Sequence, residues 1–190
     1  MFIDYVPLML INMAVGLFLL ASLICQSSSA INQKRWAAGF IMTGTVALIN
    51  GCRMTWTWPL PGSYNVAFGE MSVLFGILFL GAGLSLALGW ELVSVALYGF
   101  FAGIAAIVVG ARIINLGLTK EPLISGVGFI LSGLGGVLAI FVIWFQKNRL
   151  LILLVSIILV IAAIIWLRIG YTAYWEHLSG LAKWVPQTMP

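Results

Sequence analysis

Four charged side chains fall inside long apolar runs, and their type and placement carry the chemistry open to this chain: Arg53, Glu70, Arg112 and Arg168. A charge at membrane depth is expensive, pairs where it can, and marks a solute path or an interfacial anchor. Glu70 is the one carboxylate among them. A paired carboxylate stays ionised and can select or gate a solute at a pore mouth. Arg53 or Arg112 is its expected partner, because pairing offsets the desolvation of both groups. The bland alternative is that each arginine carries its head to the interface along its own stem. The remaining inventory is short. His177 is the single histidine, which excludes a haem held by two histidines and argues against a multi-histidine zinc, copper or iron site. Cys25 and Cys52 lack C-x-x-C spacing and sit at the ends of apolar runs, as ordinary small apolar residues do. No H-E-x-x-H, G-x-S-x-G or glycine-rich phosphate loop occurs. No catalytic residue, metal or cofactor is expected, and the chain is read as a non-enzyme.

The elements that must position these charges follow from composition. Of 190 residues, 63% are apolar and only 7% charged, with a mean hydropathy of +1.15. Soluble domains carry about a quarter charged residues, so a soluble enzyme, a nucleic-acid binder and a disordered regulator are all excluded. The expectation is an all-α polytopic membrane protein, a six-transmembrane-helix bundle with short loops. A span takes roughly 20 residues, and apolar runs of that length lie near Val6–Cys25, Trp36–Trp56, Ala67–Gly89, Leu92–Leu116, Leu123–Phe145 and Leu150–Leu167. Polar punctuation separates them: Gln26-Ser27-Ser28-Ser29, Lys34-Arg35, a two-proline turn at Pro59 and Pro61, Lys120-Glu121-Pro122, and Gln146-Lys147-Asn148-Arg149. Residues 1–168 make one six-span domain. Residues 169–190, with Tyr171, Tyr174, Trp175 and Trp184 among Glu176, His177 and Lys183, read as an interfacial C-terminal segment. The first run lacks a basic leader and a small-residue cleavage site and is expected to be retained.

This threading places Arg53, Glu70, Arg112 and Arg168 towards one face, that of the termini. Asn65 is expected to cap the third span, which sets Glu70 about 7 Å into it at ~1.5 Å per residue. Arg53, three residues before Trp56, lies at a comparable depth. Lys34, Arg35, Lys147 and Arg149 in the opposite loops put both termini outside. Glycine concentrates in spans three to five, where Gly99 and Gly103, and Gly128, Ser132 and Gly136, form i, i+4 rows. Such rows let helix backbones approach closely in lipid, within one bundle or between protomers; a narrow passage lined by backbone is the functional alternative.

Trp58-Pro59-Leu60-Pro61-Gly62-Ser63-Tyr64-Asn65, followed by Ala67-Phe68-Gly69-Glu70 and Leu74-Phe75-Gly76, resembles an uncharacterised family of small prokaryotic membrane proteins, domain-of-unknown-function family nine-eight-one. The likeness runs through the glycine-rich spans to about Leu138 and supplies no activity. A weaker likeness, in Val15-Gly16, Cys25, Leu74-Phe75-Gly76 and the span spacing, is to the acid-activated urea and short-chain amide channels. That resemblance implies six spans, both termini outside and a homo-oligomer, a hexamer in that family, with a pore through each protomer. The chain departs from it in two places. Span five has only Trp144 at its end where that family lines the solute path with tryptophan, and only His177 and Glu176 could serve an external acid gate.

Two functions are therefore carried forward. The first is a channel or facilitator for a small neutral or weakly polar solute, amide- or urea-like, in the prokaryotic cytoplasmic membrane. The alternative is a non-catalytic structural or accessory subunit of a larger membrane complex. The partners expected are the lipid bilayer and either further copies of the chain or partner membrane subunits, with no nucleic acid.

Overall fold

The computed structural model describes residues 5–26 and 33–184. Among them are six long helices and no strand: α1 (Val6–Cys25), α2 (Ala37–Thr57), α3 (Met71–Leu88), α4 (Val93–Leu116), α5 (Pro122–Trp144) and α6 (Arg149–Gly180). A 3-10 turn, Lys34–Trp36, leads into α2, and a π-helical turn, Asn65–Glu70, leads into α3. Ser27-Ser28-Ser29, expected to end the first span, and residues 185–190 lie outside the described residues.

α1, α3 with its π-helical lead, α4, α5 and α6 are long and apolar enough to cross a membrane. α2 falls short of that apolarity because Thr43, Thr45, Asn50, Arg53 and Thr55 dilute it. Much of this polarity is turned back on the helix itself. Thr43 Oγ1 donates to Gly39 O at 3.0 Å and Asn50 Nδ2 to Val46 O at 2.8 Å, so these side chains bring little unsatisfied polarity to the bundle. α2 is as long as a span and lies antiparallel along α3.

The helices form a ring in chain order, closed by α6 against α1. Three neighbouring pairs are close, α2 with α3, α4 with α5 and α6 with α1, and looser seams join them. Glycine explains two of the close pairs. A Cβ added to Gly44 would stand 2.3 Å from Leu80 N, one on Gly51 2.7 Å from Val73 N, and one on Gly76 2.6 Å from Leu48 N. In the other pair a Cβ on Gly103 would stand 2.4 Å from Gly133 O, and one on Gly110 2.6 Å from Gly126 O. The contacts recur every seven residues, so each pair of backbones stays in contact over successive turns. Gly99, Gly103 and Gly136 thus meet within one chain, and nothing remains of these rows to join protomers. The expected row of Gly128, Ser132 and Gly136 divides: Gly128 and Ser132 face Trp166 of α6, and Gly136 faces Gly99 of α4. An i, i+4 row drifts around a helix by about 40° per step, so one row reaches two neighbours.

The ends are set by local chemistry. Gly89 (φ 76°) and Gly117 (φ 61°) close α3 and α4 in the left-handed conformation that glycine adopts without strain. Pro122 opens α5, and the Asn148 side chain accepts from Leu151 N at 3.1 Å to cap α6. Two expectations are corrected here. The helix of the sixth span does not end at Leu167 but runs unbroken to Gly180. Its 32 residues measure about 48 Å against a hydrocarbon core of about 30 Å, which carries its last turns past the core. Asn65 does not cap α3. It is fully buried, and it closes the preceding turn instead: Leu60 N donates to its Oδ1 at 3.1 Å, and its Nδ2 donates to Leu60 O and Gly62 O. A buried amide must satisfy both ends, and the turn's backbone lies nearest.

Candidate functional site: a mouth and an aromatic constriction

The ring encloses an axis with two parts. From the face opposite the termini a cavity of about 1330 Å³ reaches inward, and all six helices contribute to its wall. Leu20, Leu23, Leu78 and Val142 line it, and Phe40 and Phe79 form its floor. Gln26, Gln33, Glu91, Gln146, Lys147 and Arg149 stand at its rim.

Below the floor the axis is filled by rings. Phe40 and Phe79 lie 6.0 Å apart and Phe79 and Phe75 6.4 Å. Towards the terminal face Phe68 meets Phe129 at 5.6 Å, and Phe129 meets Trp166 edge-on at 5.0 Å. Tyr64 stacks on Phe68 at 6.3 Å. Phe75 and Phe79 share the inner face of α3 by i, i+4 spacing, and Phe68 lies in the π-helical turn that leads into it. Gly16 leaves the room for Phe79, since a Cβ there would stand 2.3 Å from the ring.

Between Phe75 and the Phe68–Phe129–Trp166 group lies a void of about 30 Å³, also lined by Asn12, Ser72 and Ser132. That is room for a water-sized or slightly larger molecule. Its polar groups are few and oriented. Asn12 Nδ2 donates to Thr43 O at 2.8 Å, and Oδ1 is the acceptor end of the same amide. Trp166 Nε1 donates to Ser132 Oγ at 2.9 Å, and Ser132 donates to Gly128 O at 2.8 Å. Ser72 brings a hydroxyl to the same void.

The charges singled out by sequence all lie in the terminal-side half, as the alternation of helices requires. They do not converge. Glu70 is half-buried and forms no ion pair among the described residues, which corrects its expected pairing with Arg53 or Arg112. The reason is the phase of the π-helical turn. Gly69 faces α2 there, with an added Cβ 3.1 Å from Met54 Cβ and Thr55 Oγ1, so the next residue turns away while Arg53 is exposed. Arg112 donates to Asn115 Oδ1 at 2.7 Å, and Arg168 pairs with Glu121 at 2.9 Å. Next to it Lys120 pairs with Glu176 at 2.7 Å. That hydrogen bond and the carboxylate's charge raise the Lys120 ammonium above its ordinary pKa. Two successive loop residues of opposite charge therefore strap the α4–α5 connection to the end of α6. The same connection accepts a hydrogen bond from Tyr64, at Leu118 O.

Sequence reasoning missed the constriction. The signal was the phenylalanines of α3 and its π-helical lead at positions 68, 75 and 79, together with Trp166, the one ring in the middle of a branched aliphatic span.

The fold is that of a solved channel. A cryo-electron microscopy structure of the Helicobacter pylori urea channel in its closed state is similar to this chain with a TM-score of 0.66. The two share 18% identity over 94% of this chain and all of the channel chain. The likeness is one of fold, and the long apolar helices identify an integral membrane protein. A comparison with curated proteins finds no match. The profile of a family described as protein of unknown function (DUF981) matches residues 1–180, and the chain belongs to that family.

Proposed function

We propose that the protein is a channel or facilitator for a small neutral or weakly polar solute, held closed in this conformation by its aromatic column. The observation that carries this reading is coaxial: a wide mouth leads to a constriction, and a void within it holds a few polar groups. Rings on several sides suit a flat solute. The Asn12 carbonyl offers an acceptor for an N–H, and the Ser72 hydroxyl offers a donor for a carbonyl, the complement of an amide or urea. No ionised group lines the void, so an ion entering it would lose its hydration without replacement. Glu70, half-buried and without an ion pair among the described residues, is the polar group we assign to the terminal-side entrance, with Arg53, Arg112 and Arg168 elsewhere on the same half. The chain beyond Leu167 is read as interfacial, and the protein as a non-enzyme that assembles with copies of itself.

Stopped-flow uptake of urea, formamide and acetamide into proteoliposomes tests the reading, with wild type and Phe129→Ala side by side. Faster uptake than in protein-free vesicles, larger in the variant, is expected. No uptake through either protein would sink it. The alternative, a non-transporting subunit of a larger complex, is favoured by one observation, the filling of the axis by aromatic side chains. Absence of flux together with co-purification of a fixed membrane partner would establish that alternative.

A further inference from the structure

The mouth is larger and more apolar than passage of a small polar solute needs. Its rim is polar and its wall and floor are aliphatic and aromatic, so water filling it would lie against extensive apolar surface. Its depth matches something specific. From Leu88 at the end of α3 to Phe79 at the floor is nine residues, or about 14 Å at ~1.5 Å per residue, close to half of a hydrocarbon core of about 30 Å. The cavity therefore opens at the level of the headgroups and runs inward, parallel to the bilayer's own chains, for the depth of one leaflet.

The charge at this face is one-sided. Among the described residues, Lys34, Arg35, Lys147 and Arg149 stand on it with Glu91 as the single carboxylate, whereas the terminal-side half mixes five cations with three carboxylates. Lys147 and Arg149 lie on the rim itself, two residues apart, in the α5–α6 turn and at the first position of α6. The exposed side chains of Val93 and Leu153 reach the cavity's edge from helices bordering the loose seams α3–α4 and α5–α6.

We infer that the mouth is a lipid site: it takes an acyl chain of an anionic phospholipid from the adjoining leaflet, whose headgroup phosphate is held by Lys147 and Arg149. The apolar wall replaces the contacts the chain has in the bilayer, and the two cations select the headgroup charge. A lipid so seated stands in the axial path above Phe40 and Phe79. Binding is measured without any flux, so this inference and the channel reading stand or fall separately.

The test uses the full-length protein in nanodiscs of phosphatidylcholine with a minor fraction of phosphatidylglycerol, followed by native mass spectrometry. One phosphatidylglycerol retained per chain in preference to phosphatidylcholine is expected. Replacing Lys147 and Arg149 by Gln lowers that preference about fivefold for each charge removed, and Ala139→Trp, which fills the cavity from α5, abolishes retention. Wild-type protein is also irradiated with phosphatidylglycerol bearing a diazirine near its chain end. Adducts at Phe40, Phe79 or Ala82 support the site. Adducts confined to outward residues such as Leu97, Phe101 or Ile157 overturn it, as does equal retention of the two lipids. Labelling of the cavity by a diazirine fatty acid but not by the phospholipid overturns the choice of ligand.

Discussion

Trp166 Nε1 donates to Ser132 Oγ at 2.9 Å across the α5–α6 seam, and both residues are at most 2% exposed. The Ser132 hydroxyl in turn donates to Gly128 O, one turn back on α5. The pair fixes the indole that meets Phe129 in a T-shaped contact at 5.0 Å, and so fixes one wall of the constriction. Ser132→Ala leaves the indole N–H unpartnered in an apolar site and is expected to cost about 1–3 kcal/mol. Adding Trp166→Phe, which removes the donor, should recover part of the hydrogen-bond loss. Thermal unfolding in detergent of the two single variants and the double variant measures this coupling.

Glycine substitutions should divide by what the new methyl meets. In Gly44→Ala and Gly103→Ala it meets backbone of the neighbouring helix, at 2.3 Å from Leu80 N and 2.4 Å from Gly133 O. Backbone cannot rotate aside, so each should cost about 1–3 kcal/mol or more. Gly81→Ala meets nothing closer than 3.8 Å and should be neutral or gain up to about 1 kcal/mol in helix propensity. Thermal midpoints of the three variants decide it.

If the ring column is the barrier, truncating it should raise solute flux while truncating an outward ring should not. Phe75→Ala opens the axis, and Phe101→Ala removes a ring that is 65% exposed on α4. Phe75→Ala is also expected to cost about 3–5 kcal/mol of stability. Uptake therefore has to be compared at equal amounts of folded protein. Equal uptake by both variants would place the barrier elsewhere.

The strap between the α4–α5 connection and α6 should matter little for global stability. Its four side chains are between 48% and 83% exposed, and solvent screens such pairs. Glu176→Gln should leave the thermal midpoint nearly unchanged while increasing hydrogen exchange at residues 117–121. Lys120 has a raised pKa in the folded state, so its share of the pairing is complete at neutral pH. It fades only as pH climbs through and beyond the ordinary lysine value. Exchange protection of the connection followed from pH 8 to 11 would show this.

Glu70→Gln should not lower stability measurably, because no ion pair is lost among the described residues. Its effect belongs to flux. A change in uptake rate, or in discrimination between urea and acetamide, places Glu70 at the entrance. Unchanged flux for every solute removes it from the path.

Much of this protein was legible in its sequence because the bilayer is a severe solvent. Apolar runs of span length separated by proline, glycine and charge admit little except helices, since backbone groups in lipid must be satisfied within each segment. The six helices and the placement of Arg53, Glu70, Arg112 and Arg168 in one half followed from spacing along the chain. Which side chains meet did not. Hydropathy carries no helical phase across a turn, and the π-helical winding of Asn65–Glu70 set Gly69 rather than Glu70 against α2, leaving the expected ion pair unmade. Spacing four apart showed that Gly128, Ser132 and Gly136 lie near one face of α5. Only the packing decided that Gly136 serves α4 while Ser132 serves Trp166. The constriction itself is a product of ring closure. Phe40, Phe75, Phe129 and Trp166 come from four helices and are distant in sequence, and they become neighbours only when α6 closes against α1 and turns every inner face towards a common axis.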